Sequence, residues 1–439
     1  MQIVQQILFV LLSAVAIFLF SKKARQIMAN IRLGRDESLT DQPARRWRNM
    51  ALLALGQQKM FRNPFVAVLH LLVYAGFIII NIEVLEIVLD GVLGTHRLFA
   101  STLGSFYTFL INAFEILALL VLVACAIFLA RRNLTGIRRL RSKDLDGWPR
   151  SDANLILTTE IVLMTLFLFL NASDTTLQDR GEAHYAGFLT GDFVISQHLK
   201  PLLSGMGTAS LIILERSCWW LHILGIFAFL NYLPYSKHLH IILAFPNAWF
   251  ARLTPMGKME NMPAIQNEVL YAMQPELAAS APADAAPVKF GAKDVTDLSW
   301  KNILDAYSCT ECGRCSAACP ANITGKLLSP RKIMMDTRDR AEEIGNLKRA
   351  GQETDSKSLL HDYISVEELR ACTTCNACVK ECPVSINPLD IILQLRRFLI
   401  MEESNTPPEW ASMFGNVENN FAPWKSSPDE RANWAVENR

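Results

Sequence analysis

Five long apolar stretches decide what this chain can fold into. They run about Ile3–Ser21, Phe65–Leu89, Thr102–Ala130, Asn154–Asn171 and Ser217–Leu233. Each approaches the ~20 residues an α-helix needs to cross a ~30 Å hydrocarbon core. Hydrocarbon offers backbone N–H and C=O groups no partner, so such segments fold as helices. The composition agrees, with 51% apolar and 19% charged residues over 439 positions. A net charge of +1 excludes the large basic surplus that nucleic-acid binding needs. No basic cluster precedes the first stretch, and Lys22, Lys23 and Arg25 follow it, as in a retained anchor rather than a cleaved signal peptide.

Basic residues set the expected orientation. The first connecting loop holds Lys22, Lys23, Arg25, Arg32, Arg35, Arg45, Arg46, Arg48, Lys59 and Arg62. The third holds Arg131, Arg132, Arg138, Arg139, Arg141, Lys143 and Arg150. The second has only Arg97, and the fourth has Arg180, Lys200 and Arg216. This imbalance predicts an N-terminus outside and everything after the fifth span in the cytoplasm. The long stretch from Ala172 to Arg216 reads as partly helical structure on the outer face. A sixth span there would place the free thiols of the second half outside.

Eight of the ten cysteines lie between Cys309 and Cys382, in one pattern used twice. Cys309-x2-Cys312-x2-Cys315-x3-Cys319-Pro320 recurs as Cys372-x2-Cys375-x2-Cys378-x3-Cys382-Pro383. This is the bacterial ferredoxin run for [4Fe–4S] clusters, in which the proline-linked fourth cysteine serves the other cluster. The expected sets are Cys309, Cys312, Cys315 and Cys382 for one cluster, and Cys372, Cys375, Cys378 and Cys319 for the other. Zinc sites want two pairs of ligands, not two runs of four. Cys125 and Cys218 lie in the spans and read as small apolar fillers.

Ionisable residues inside a span default to function. His70 lies eight residues beyond Arg62, about 12 Å deep at 1.5 Å per residue. His222 and His240 are eighteen residues apart, five regular turns, which predicts one shared face with His238 pointing away from both. A haem b held across a bundle needs two imidazoles from facing elements at one depth, and His70 with His240 meets that need, His238 being the fallback. Glu83 lies near the depth of His222, and the two form a candidate quinone or proton site. Glu86 reads as solvated, and Glu115 and Glu160 as partners in interhelical hydrogen bonds.

The five-span layout and the spacing of His222 and His240 resemble the cytochrome-b subunit of respiratory nitrate reductase and its relatives fused to heterodisulfide-reductase-like proteins. Two-haem members of that family carry a second histidine in span 2, where this chain has Ile80 and then Glu83. The resemblance therefore implies one haem b, on His70 and His240. The 52 residues between the cysteine runs are too many for a compact β-type ferredoxin. With its helical-looking sequence this region resembles the α-helical ferredoxin module of heterodisulfide reductases, glycolate oxidase iron–sulfur subunits and succinate dehydrogenase, and Cys309-Thr-Glu-Cys-Gly-Arg-Cys and Cys372-Thr-Thr-Cys-Asn-Ala-Cys are similar to the heterodisulfide-reductase-like pattern. In fused relatives a segment like Phe414–Trp424 leads into Cys-Cys-Gly domains. None occurs here, which implies that a separate subunit holds them, with an electron-transfer flavoprotein, a dehydrogenase or a disulfide reductase behind it.

The expected architecture is all-α. Residues 1–245 form a five-helix transmembrane cytochrome-b-like bundle, and 246–289 form a linker with a low-complexity tether at Ala278–Pro287. Residues 290–404 form a cytoplasmic two-cluster α-helical ferredoxin domain, and 405–439 a tail. The expected role is an electron-transfer subunit in the bacterial inner membrane, linking a cytoplasmic redox partner to the quinone pool. The alternative is a membrane anchor for an iron–sulfur module, with structural histidines and no haem.

Overall fold

The computed structural model describes residues 2–187, 189–278, 289–352, 355–425 and 427–437. Among them the regular structure is helical, with two isolated bridges and no strand. Five helices are long and apolar enough to cross a membrane: α1 (Gln2–Ile31), α2 (Pro64–Leu93), α3 (Ser105–Asn133), α4 (Trp148–Asp179) and α5 (Thr208–Tyr232).

α3 packs between α2 and α4, α4 packs on α5, and α1 leans on α2 and α5. Between them lie Ile80, Tyr107, Ile111, Phe114, Val121, Leu163 and Phe167. Gly76 lets α2 and α3 close up, since a Cβ there would stand 2.4 Å from Val121 Cγ2. Asn63 starts α2 by accepting from the Val66 N–H, with Pro64 in the first turn where no donor is needed.

The helices outrun the apolar stretches. α1 continues ten residues past Ser21 because its polar end packs on the cysteine half: Asn30 donates to Tyr307 Oη at 2.9 Å and Lys23 pairs with Glu342 at 3.0 Å. α5 begins at Thr208, nine residues before its expected start. The stretch between α4 and α5 is partly helical, with short turns at Ala183–Ala186 and Lys200–Leu203.

Glu86 departs from expectation. It is buried, accepting from the Phe99 N–H and Tyr107 Oη, both at 2.8 Å. The loop carrying Arg97 folds back over the bundle end and removes that carboxylate from solvent. Glu115 does bond across elements, to Asn171 at 3.0 Å and to the N–H groups of Ile195 and Ser196. Glu160 makes no hydrogen bond among the described residues.

After α5 the chain turns twice and enters α6 (His240–Trp249). The expected linker boundary at residue 246 therefore falls inside a helix, with Pro246 in its interior. Of the low-complexity tether, residues 279–287 lie outside the described residues. The cysteine half is built on α7 (Trp300–Tyr307), α8 (Pro330–Arg349) and α9 (Pro388–Met401). Its core holds Ile303, Ile333, Met334, Ile344, Leu359, Ile391 and Leu395. Buried Arg340 ties α8 to the loops through Asp294 at 2.7 Å and Asp355 at 2.8 Å.

Candidate functional site

The two cysteine runs adopt one backbone form. In the first, Glu311 and Gly313 have φ of 54° and 70°, and in the second Thr374 and Asn376 have 56° and 61°. Left-handed residues at matching places bend each run into a tight loop, and two of the four are non-glycine residues not prone to that region. The Glu311 N–H points at Cys309 Sγ and the Thr374 N–H at Cys372 Sγ, each at 3.4 Å. A third N–H···S contact runs from Ile386 to Cys382 at 3.3 Å. Gly313 is required twice over, by its φ and by the space around it. A Cβ there would lie 2.5 Å from Arg331 Nη1 and 3.1 Å from the Arg139 carbonyl oxygen.

The fold brings the runs to each other. Cys309 interacts electrostatically with Cys312 and Cys382, and Cys315 with Cys309, Cys312, Cys382 and Cys378. Cys372 interacts with Cys319 and Cys375, and Cys378 with Cys372, Cys319 and Cys375. Each fourth cysteine thus neighbours the opposite run. Burial above all, with charge on neighbouring thiols, pushes Cys309 and Cys378 up to about 12 and Cys382 to about 11. Bare thiolates are unfavourable there, and positive metal is what would hold them deprotonated. Among the described residues no three of His, Cys, Asp and Glu converge on one point as ligands of a single ion would. A cubane asks for something else, because each thiolate binds a different iron. The donor set fits clusters.

The set Cys309, Cys312, Cys315 and Cys382 is seated on the membrane half. Lys59 Nζ donates to the Cys382 carbonyl at 3.0 Å, and Arg139 Nη1 to the Cys312 carbonyl at 2.9 Å. Arg314, inside the first run, reaches the Lys59 carbonyl at 3.4 Å. Arg331 on α8 is 1% exposed and crosses to the loop before α4, bonding Asp144 at 2.5 and 3.0 Å and the Arg139 carbonyl at 2.7 Å. Lys237 pairs with Glu311, which Arg338 also holds at 2.9 Å. Among the described residues the set Cys372, Cys375, Cys378 and Cys319 has no such clamp: Cys375 is exposed, and the Cys372 carbonyl accepts from Arg396 of its own half at 2.5 Å.

Beside the clamp stand three histidines. His70 on α2 interacts electrostatically with His240 and Arg314, and His238 with both His240 and His70. His70 Nδ1 sits 2.9 Å from Gln57 Oε1, and His240 Nδ1 3.1 Å from the Lys237 carbonyl. An oxygen acceptor at Nδ1 fixes the proton there and leaves the Nε2 lone pair free, the form in which imidazole binds metal. Burial lowers both His238 and His240, keeping them neutral. With Nδ1 so engaged, His70 and His240 have the donor chemistry that would hold a haem iron.

Two histidine expectations change. α5 ends at Tyr232, and turns at Leu233–Tyr235 and Lys237–Leu239 precede α6, so no continuous helix joins His222 to His240. Pro234, with no N–H to give, sits at the break. The same turns bring His238 inward, its ring 5.5 Å from His240 and 5.3 Å from Phe229, instead of away from the pair.

His222 and Glu83 are both buried, and no hydrogen bond joins them. His222 Nδ1 and Glu83 Oε2 each lack a partner among the described residues. The His222 ring lies 6.2 Å from Phe167. Gln57, Lys59, Arg139, Arg331 and Asp144 escaped sequence reasoning as site residues. Except for Gln57, thirteen residues from His70, their partners lie far along the chain, and only charge marked the cations.

Residues 308–386 match a family model described as a 4Fe-4S dicluster domain. The chain is 27% identical over 466 residues to the "Probable iron-sulfur-binding oxidoreductase FadF" of Bacillus subtilis, covering 99% of this chain and 61% of the relative. It is 25% identical to the "EtfAB:quinone oxidoreductase" of Syntrophomonas wolfei, covering 98% and 59%. A "Probable membrane-anchored ferredoxin" of Chromohalobacter salexigens is 31% identical over 35% of this chain and 25% of its own. The chain thus spans about three fifths of the length of the first two. No solved structure matches it. Two clustered cysteine runs, a matching dicluster region and similarity along nearly the whole length lead to one conclusion: this is a 4Fe–4S protein similar to iron–sulfur oxidoreductases.

Proposed function

We propose that the chain is a membrane-bound electron-transfer subunit of a quinone-linked oxidoreductase complex, joining a cytoplasmic redox partner to the quinone pool. The observation that carries this is the seating of the first cysteine run against the histidine cluster, with Arg314 interacting with His70 and bonded to Lys59. A tether alone would not need that contact.

Cys309, Cys312, Cys315 and Cys382 would hold one [4Fe–4S] cluster, Cys372, Cys375, Cys378 and Cys319 the other, and His70 and His240 a single haem b through Nε2. When bound, these groups supply one-electron carriers, and the protein's part is to place them and tune their potentials. Gln57 and the Lys237 carbonyl orient the imidazoles. Glu83 and His222 form the quinone or proton site in this reading, because buried polar atoms without partners ask for an occupant. The loop charges support a cytoplasmic cysteine half in a bacterial inner membrane. The relatives' names support the partner class: one is an EtfAB:quinone oxidoreductase, and another belongs to a CoB-CoM heterodisulfide reductase. A separate Cys-Cys-Gly subunit, an electron-transfer flavoprotein or a dehydrogenase would supply the substrate-side chemistry.

The test uses purified full-length protein in nanodiscs. Adding a quinol should produce both a b-type absorption change and a reduced-cluster signal. A protein whose clusters respond to dithionite but never to quinol refutes the quinone link, and one without haem absorption returns the chain to a membrane-anchored iron–sulfur module.

A further inference from the structure

The two cysteine sets stand in unlike surroundings, and the difference lies in residues no cluster motif contains. Lys59 and Arg139 come from separate membrane loops, and both are half-buried. Their donors land on the backbone of cysteines in one set, at Cys382 and Cys312. Both also interact electrostatically with those thiols. Among the described residues the other set receives a comparable bond only from Arg396, on the Cys372 carbonyl, and leaves Cys375 exposed.

Resting on the proposed electron-transfer role, we propose that Lys59 and Arg139 are positioning residues. They lock the set Cys309, Cys312, Cys315 and Cys382 onto the membrane bundle as the membrane-side set and raise the reduction potential of the cluster it holds. The set with Cys375 is then the solvent-side set, where a soluble redox protein exchanges electrons. Cluster potential responds to nearby charge, hydrogen bonding and solvent exposure. Two cations fixed beside one set favour its extra electron, and membrane loops packed on it exclude water. Arg331 holds the loop that aims Arg139, through the Arg139 carbonyl at 2.7 Å.

The experiment is a redox titration of the intact protein in nanodiscs, followed by electron paramagnetic resonance. Cys375→Ser identifies the solvent-side signal as the one it perturbs. Lys59→Met and Arg139→Gln should each lower the reduction equilibrium of the other signal roughly tenfold, about 59 mV for one electron. Neither should move the signal that Cys375→Ser perturbs, and Lys59→Arg should restore the wild-type value. A soluble dysprosium chelate should broaden the Cys375-sensitive signal more strongly. Two signals with unmoved potentials, a shift confined to the Cys375-sensitive signal, or equal broadening of both overturns this inference alone. Failure to find two cluster signals in wild-type protein overturns the electron-transfer reading and this inference with it.

Discussion

Arg331→Met should loosen the joint between the cysteine half and the membrane bundle. The Arg331 side chain is 1% exposed, and Asp144 across the joint is 10% exposed. The guanidinium bonds Asp144 twice, at 2.5 and 3.0 Å, and the Arg139 carbonyl at 2.7 Å. Methionine keeps most of the apolar volume while leaving the largely buried Asp144 carboxylate without its counter-charge, held only by Ser142 and Ser329, and the Arg139 carbonyl without its donor. Breaking a buried pair on one side costs about 3–5 kcal/mol. At about 1.4 kcal/mol per tenfold, the ratio of closed to open joint falls by two to more than three orders of magnitude. Hydrogen exchange in nanodiscs reads this directly. Peptides spanning 138–145 and 309–316 should lose protection by that factor, while the interior of α8 stays protected as a control for folding. A change under about threefold in both peptides refutes the clamp. Asp144→Asn should cost less when Arg331 is already gone, because the two act as one pair.

The same pair sets a pH dependence. Burial raises the Asp144 carboxyl, but hydrogen bonds from Arg331, Ser142 and Ser329 and the Arg331 charge outweigh it, so it lies below the ordinary 3.8. A carboxyl depressed in the folded state stabilises fully above its unfolded pKa, and that contribution is lost as pH falls through the folded value. Joint protection, corrected for intrinsic exchange, should therefore hold down to about pH 4 and fall below it, and Asp144→Asn should remove that step.

Iron should be near eight per chain plus haem iron, and Cys319→Ser should perturb the cluster held by Cys372, Cys375 and Cys378; iron near four in intact wild-type protein defeats the two-cluster reading. A reporter fused to the C-terminal end should be active in the cytoplasm, and labelling of that end from outside intact cells would reverse the topology. His70→Ala and His240→Ala should each abolish b-type absorption while His222→Ala keeps it. Two haems per chain, or loss of absorption on changing His222, would overturn the ligand pair.

The five membrane-length helices and the 4Fe–4S character were legible because each is written in local pattern: runs of apolar residues, and cysteines at fixed spacing followed by proline. What was not legible depends on contacts between distant residues. Hydropathy ends α1 at Ser21, yet the helix continues because Lys23 and Asn30 find Glu342 and Tyr307, hundreds of residues away. Glu86 looked solvated because nothing local shows the Arg97 loop folding over it. The His222–His240 spacing suggested one face only for an unbroken helix, and Pro234 with two short turns breaks it. Gln57 carries no pattern marking it as the partner of His70, thirteen residues on.

The basic loops do structural work that the count of their charges does not reveal. A loop bent to gather thiols cannot form a helix or a ladder, so carbonyls such as those of Cys312 and Cys382 need donors from elsewhere. The Lys- and Arg-rich loops of the membrane half lie against them and supply those donors. Arg46 repeats the arrangement, giving Nη1 to the carbonyl of Trp249 at the end of α6 and of Ala251 just past it, at 3.2 and 3.0 Å. Bonds from charged donors are worth about 1.5–3 kcal/mol each. Orientation needs only the number of cations on a side, whereas docking needs particular ones. Exposed Arg138 counts toward the first and makes no side-chain hydrogen bond among the described residues, while its neighbour Arg139 bonds the Cys312 carbonyl. The number of loop cations would bear on orientation, while the placement of a few of them, Lys59 and Arg139 among them, decides how the cysteine half sits on the bundle.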